Sequence, residues 1–137
     1  MLNRHASKNG VLTGTVLAFA VTAGGGPSNA EPAVAKADGT VRMSTFLKFG
    51  PKEVTIQVGG AVEWRNASIE PHTVTDDPSK ARDAAHAQLP EGAQAFDSGL
   101  LKPGQTYRHV FTVPGLYQYF CAFHEKHGMV ATVVVTP

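Results

Sequence analysis

LYQYFCAFHEKHGMV, residues 116–130, changes its pattern half-way. Tyr117, Tyr119 and Cys121 alternate along one face, the period-two signature of a half-buried strand. After Cys121 the alternation stops. Eight positions on, Met129 opens MVATVVVTP, a β-branched run that reads as a closing strand. The loop between these strands concentrates chemistry. Cys121 is the only cysteine of the chain, and His124, His127 and Met129 follow within eight positions.

Upstream, the same strand-and-turn rhythm continues. Val41 and Met43 alternate in VRMS, and Val54, Ile56 and Val58 in EVTIQV. After GG come Val62 and Trp64 in AVEWRN, then HTVT at 72–75, then Tyr107, His109 and Phe111 in TYRHVFTV. Gly and Pro fall between these runs. One region departs: DDPSKARDAAHAQLPEGAQ (76–94) is Ala-rich and polar, and Asp77 before Pro78 is a helix-start signal, predicting a short helix near 78–86. About seven to eight short strands with one short helix predict an all-β fold, an antiparallel sandwich or barrel.

With 137 residues, 17% charged and 42% apolar, the chain has room for one ordinary globular domain and not two. Residues 1–30 read differently from the rest. Arg4 and Lys8 precede the uncharged run VLTGTVLAFAVTA, and small residues follow, ending in SNA. That order is the pattern of a secretory signal peptide cleaved after Ala30, and the apolar run falls short of the roughly 20 residues a membrane span needs. Residues 31–40 then form a flexible leader and 41–137 the domain. Without Arg4 and Lys8 the chain keeps 10 Lys+Arg against 11 Asp+Glu, a formal charge of −1. There is no basic run to follow a phosphate backbone, so no nucleic-acid partner is expected.

Export sharpens the question of the thiol. Exported domains usually pair their cysteines. A single one is either buried and inert or occupied. Four side chains could meet a metal: His72, Cys121, His124 and Met129. Thiolate and thioether favour copper, and imidazole suits either of its oxidation states. Two His and one Cys with a weak Met is the donor set associated with blue-copper electron transfer. Gly128 would permit a tight turn before Met129.

WRNASIEPHTV (64–74) resembles the pattern W-x-N-x-x-x-x-P-H-x-V of the cupredoxins. FDSGLLKPGQTYRHVFTVPGLYQYFCAFHEKHGMVATVVV (96–135) is similar throughout to their plastocyanin and pseudoazurin branch, and GPKEVTIQVGGAVEWRN to the family's early hairpin. The resemblance spans about residues 41–136. It implies a Greek-key β-sandwich holding one copper ion, with His72, Cys121 and His124 as equatorial ligands and Met129 as the axial one. It implies a small periplasmic or thylakoid-lumen shuttle of single electrons; for this exported chain the expectation is a periplasmic monomer, not an enzyme, that serves redox partners by Cu(I)/Cu(II) cycling. The alternative is a copper carrier that delivers metal. Only three Met occur, one of them Met1, which counts against that alternative.

Several positions depart from the family. Phe123 stands where proline is common, and its N–H could point at the Cys121 sulfur. Thr73 stands where asparagine is common, which would weaken the side-chain link between the ligand loops. STFLKFGP carries one extra residue, suggesting a bulge. His127 matches no ligand position and reads as solvent-facing, His109 as partly buried, and His86 as exposed on the short helix. Asn66-Ala67-Ser68 is formally a glycosylation sequon. No G-x-S-x-G, phosphate loop or paired-cysteine zinc signature occurs. A Cys–His nucleophile would leave Met129 and His72 unexplained.

Overall fold

The computed structural model describes residues 35–137. The expected signal peptide and the start of the leader lie outside them. Seven strands follow: β1 Gly39–Ser44, β2 Lys48–Gly50, β3 Glu53–Gln57, β4 Ala61–Asn66, β5 Thr106–Val110, β6 Gly115–Phe120 and β7 Val130–Thr136. They form two sheets, ordered β2-β1-β4-β5 and β3-β7-β6. The sandwich is mixed and not purely antiparallel, since β1 runs parallel to β4 and β3 parallel to β7. β3 and β4, which resemble a hairpin in sequence, are not paired. They lie in opposite sheets, joined by a tight turn in which Gly59 adopts φ 86°.

Period-two alternation explains what each strand buries. β7 turns Ala131, Val133 and Val135 inward and β1 turns Val41 and Met43 inward, all at most 3% exposed. Trp64 of β4 is the hub. Its ring lies 5.4–6.3 Å from those of Phe96, Tyr107, Phe111 and Tyr119, and it is fully enclosed. Truncating such a side chain typically costs about 3–5 kcal/mol. The extra residue of STFLKFGP is taken up in the three-residue turn between β1 and β2, where Leu47 closes a turn onto Ser44 with φ 56°.

Residues 67–105 connect β4 to β5 with no regular strand. HTVT contributes isolated bridges instead: His72 pairs with Leu101, and Thr75 with both Asp97 and Phe120. The helix expected near 78–86 is two separate 3-10 turns, Pro78–Lys80 and Ala84–His86. Each has its own aspartate cap, Asp77 accepting from the Ser79 amide and Asp83 from the Ala85 amide, both at 2.9 Å. Between them the amides of Arg82 and Asp83 donate to the Glu125 carboxylate, which withdraws them from any continuous helical ladder.

Asp76 is the buried carboxyl of this connection. Oδ1 accepts the Phe96 amide at 2.7 Å, while Oδ2 has no partner among the described residues. Burial, with Asp77 and Asp97 nearby, raises its pKa from 3.8 to about 6 against the pull of the Phe96 amide. The folded state therefore favours the neutral acid. That contribution is complete below pH 3.8 and is lost as the pH rises through about 6. An Asp76→Asn variant of the metal-free protein is expected to gain on the parent by roughly 2 kcal/mol between pH 4 and pH 7, read from urea midpoints. A gap that does not change with pH would contradict this.

Candidate metal centre

His72, Cys121, His124 and Met129 come to one end of the sandwich from two loops. The amide and carbonyl of His72 bond reciprocally to Leu101, at 3.0 and 2.8 Å. Three residues on, Thr75 and Phe120 exchange hydrogen bonds of 3.1 and 2.9 Å, which fixes the His72 segment to the end of β6. Cys121 is the next residue, and its amide donates to the Met129 carbonyl at 3.0 Å. The chain between them turns tightly: His124 donates to the Cys121 carbonyl, Glu125–His127 form a 3-10 turn, and Gly128 ends it at φ 78°. That left-handed conformation strains any residue with a Cβ, as expected for Gly128.

His72 Nδ1, His124 Nδ1 and Cys121 Sγ form a triangle with sides of 3.2, 3.5 and 3.8 Å. A point about 2 Å from every corner lies inside it, close to the usual lengths of metal–imidazole and metal–thiolate bonds. Each pair lies within hydrogen-bond reach, but no single hydrogen bond engages both imidazole nitrogens and the sulfur at one buried point. A soft cation does, and the donor set fits copper. Burial, and then the proximity of His124, lower the His72 pKa, with Glu70 and the Ser44 carbonyl opposing. The imidazole is thus kept neutral, the form that binds metal. Met129 is fully enclosed, and its backbone is tied to both loop donors, its carbonyl to Cys121 and its amide to His124.

The sulfur is supported from the other loop. Thr73 donates its amide to Cys121 Sγ at 3.3 Å, and its hydroxyl accepts the Ala122 amide at 2.8 Å. Threonine therefore maintains the link between the ligand loops that the sequence expectation had weakened. Among the described residues the amide on sulfur is Thr73's and not Phe123's. The Phe123 ring instead faces outward, 57% exposed, at the edge of a cleft of about 270 Å³ lined by Glu70, Pro71, Phe123 and His124. Through this cleft His124 is reached from solvent, and its Nε2 lies 3.9 Å from the Glu70 carboxylate.

The other histidines follow their sequence readings in part. His127 is exposed, and His109 is half-buried among Phe96, Tyr107 and Phe111, with burial lowering its pKa. His86 is not free on a helix face, since Nδ1 lies 2.9 Å from Glu125 Oε1. Asn66 is fully buried, donating to the Glu70 and Leu101 carbonyls and accepting from Ser68, so the sequon is structural in this fold. Sequence reasoning missed Glu70, Glu125 and the role of Asn66. For Asn66 the x-Asn-x-Ser spacing of an Asx turn was a usable signal. For Glu125 none exists locally, because its partners lie about 40 residues upstream.

The family model of copper-binding proteins of the plastocyanin/azurin type matches residues 35–136. Plastocyanin of Scenedesmus fuscus is 35% identical over 101 residues, covering 72% of this chain and 99% of its own length. Chloroplastic plastocyanin of Tetradesmus obliquus is 38% identical over 92 residues, covering 67% of this chain and 61% of its own length. Among solved structures, a purple cupredoxin from Nitrosopumilus maritimus superposes with TM-score 0.58 at 26% identity, over 72% of this chain and all of the other. A reduced amicyanin variant does so with TM-score 0.57 at 30% identity, over 74% and 85%. The chain belongs to the plastocyanin/azurin family of copper-binding proteins, and it is a cupredoxin whose cofactor is copper.

The Thr73 hydroxyl gives a direct test of the link between the loops. Thr73→Val keeps shape and leaves the Ala122 amide without an acceptor, which is expected to lower the stability of the metal-free protein by about 1–3 kcal/mol in urea unfolding. Unchanged stability would mean that the hydroxyl contributes nothing there.

Proposed function

We propose that the chain carries single electrons between redox proteins, using one type 1 copper that His72, Cys121, His124 and Met129 would hold. The observation that carries this reading is the triangle of two imidazole nitrogens and a thiol sulfur, one corner of which, His124, lines a surface cleft. The bound copper would supply the one-electron couple between Cu(I) and Cu(II). The chain supplies the frame. The Thr75–Phe120 bridge and the Thr73 contacts tie the donor loops together, so their spacing resists change when charge at the centre changes. A small rearrangement means a small barrier. The Thr73 amide also offsets negative charge on the sulfur. Four protein donors leave no position for a substrate, which supports a carrier of electrons over an enzyme.

The His124 edge in the cleft is the exit for the electron. Phe123, 57% exposed, and Pro71 give the cleft an apolar lining suited to brief docking of a redox partner by a monomer. With the formal charge near zero, the salt dependence of docking is weak. The metal-delivery alternative needs exposed thioethers, whereas Met43 and Met129 are both fully enclosed. Export to the periplasm, through a segment 1–30 removed after Ala30, completes the proposal. Its support is the basic–apolar–small order of that segment.

Loading the protein with Cu(II) is expected to give the intense visible thiolate-to-copper band and reversible one-electron cycling without metal loss. Cys121→Ser should abolish the band. A colourless complex, or a band that survives the substitution, would refute the type 1 reading, and loss of metal on each cycle would favour the carrier. Glu70 supplies a second test, since its carboxylate beside His124 favours the more positive oxidised centre. Glu70→Gln is expected to raise the reduction potential and to slow oxidation by tris(phenanthroline)cobalt(III), which loses both driving force and charge attraction. Equal potentials in variant and parent would remove Glu70 from the account.

A further inference from the structure

Glu125 follows His124 directly, yet its side chain is only 1% exposed. The carboxylate turns away from the cleft and into the 82–86 segment. Oε1 accepts the Arg82 amide at 3.1 Å and the Asp83 amide at 3.0 Å, and lies 2.9 Å from His86 Nδ1. Oε2 accepts the Arg82 amide at 2.8 Å. A buried carboxylate is costly unless its lone pairs are met, and even then an apolar side chain of the same volume is often no less stabilising. What such a group confers is a single geometry, because one oxygen pair must face donors fixed in the backbone. Apart from the Ala122 amide, which donates to the Thr73 hydroxyl, the remaining backbone bonds of the loop are internal turns or ties to Cys121 and Met129. Among the described residues, Glu125 is the side chain that bonds the loop to the capped 82–86 segment, whereas those of Cys121 and His124 meet the His72 loop.

We propose that Glu125 is a positioning residue for the metal loop, holding His124 at its ligand geometry before copper arrives. The proposal rests on reading His124 as a ligand. The 82–86 segment acts as the receiving half of a clamp, and the two aspartate-capped turns on either side, Pro78–Lys80 and Ala84–His86, present the Arg82 and Asp83 amides side by side. With the clamp closed, the imidazole of His124 is already beside that of His72 and the Cys121 sulfur, and the metal need not order the loop. Without it, the loop samples other conformations, and copper binding must supply the ordering.

Two measurements test this, with Glu125→Ala, which removes every contact, and Glu125→Gln, whose amide oxygen retains some of them. In the metal-free protein, amide hydrogen exchange at His124, His127 and Gly128 is expected to quicken tenfold or more in Glu125→Ala, with the β6 and β7 amides unchanged. The affinity for Cu(I), by competition with bicinchoninate, is expected to fall about 10–100-fold in the alanine variant and less in the glutamine one, the usual effect of losing a group that orients a ligand. Loop exchange equal to the parent's, or exchange quickened equally throughout the domain, would overturn the clamp. So would quickened loop exchange with Cu(I) affinity unchanged. A parent protein that fails to bind Cu(I) at all would overturn the ligand reading instead, and the two failures are therefore distinguishable.

Discussion

Two hydrogen bonds between Thr75 and Phe120 hold this molecule's chemistry together. They are the point at which a long irregular connection becomes fixed to the end of a regular strand. His72 lies three residues to one side of that bridge and Cys121 one residue to the other. Every other contact at the centre presupposes it: the Thr73 amide on sulfur, the hydroxyl beneath Ala122, and the approach of two imidazoles. The sheets supply the rigid edge, and Trp64 with its ring of aromatic neighbours makes that edge rigid.

The strands were legible because their burial is regular. Alternation in VRMS, VEWRN and VATVVVT maps onto inward and outward faces, broken only where Ala61 is buried beside Val62. Pairing was less legible. Alternation says which side of a strand is buried but not which strand lies beside it, so the parallel pairs β1–β4 and β3–β7 could not be read from it. The likeness of GPKEVTIQVGGAVEWRN to a hairpin suggested the wrong partner for β3. The candidate site was legible for a different reason. Its donor types are scarce in this chain, and a lone cysteine among histidines and a methionine has few structural explanations.

The connection 67–105 resisted reading because it is organised by polar side chains meeting backbone groups far away in sequence. Asn66, Asp76 and Glu125 each satisfy amides or carbonyls that no periodic pattern announces. The 78–86 region shows the result. Asp77-Pro78 starts a helical turn as its chemistry dictates, and the demand of Glu125 for the Arg82 and Asp83 amides stops it. A local preference was overridden by a buried charge on another loop.

Cys121 is fully enclosed. In the unfolded chain the same sulfur is open to solvent and has no second cysteine with which to close an internal bridge. Its vulnerable period is therefore the interval between synthesis and folding, when two chains can couple through their thiols or an oxidant can reach the sulfur first. Fast closure of the sandwich is then a form of chemical protection, and a slow-folding mutant would be lost to covalent dimers and sulfur oxidation before it was lost to weak packing.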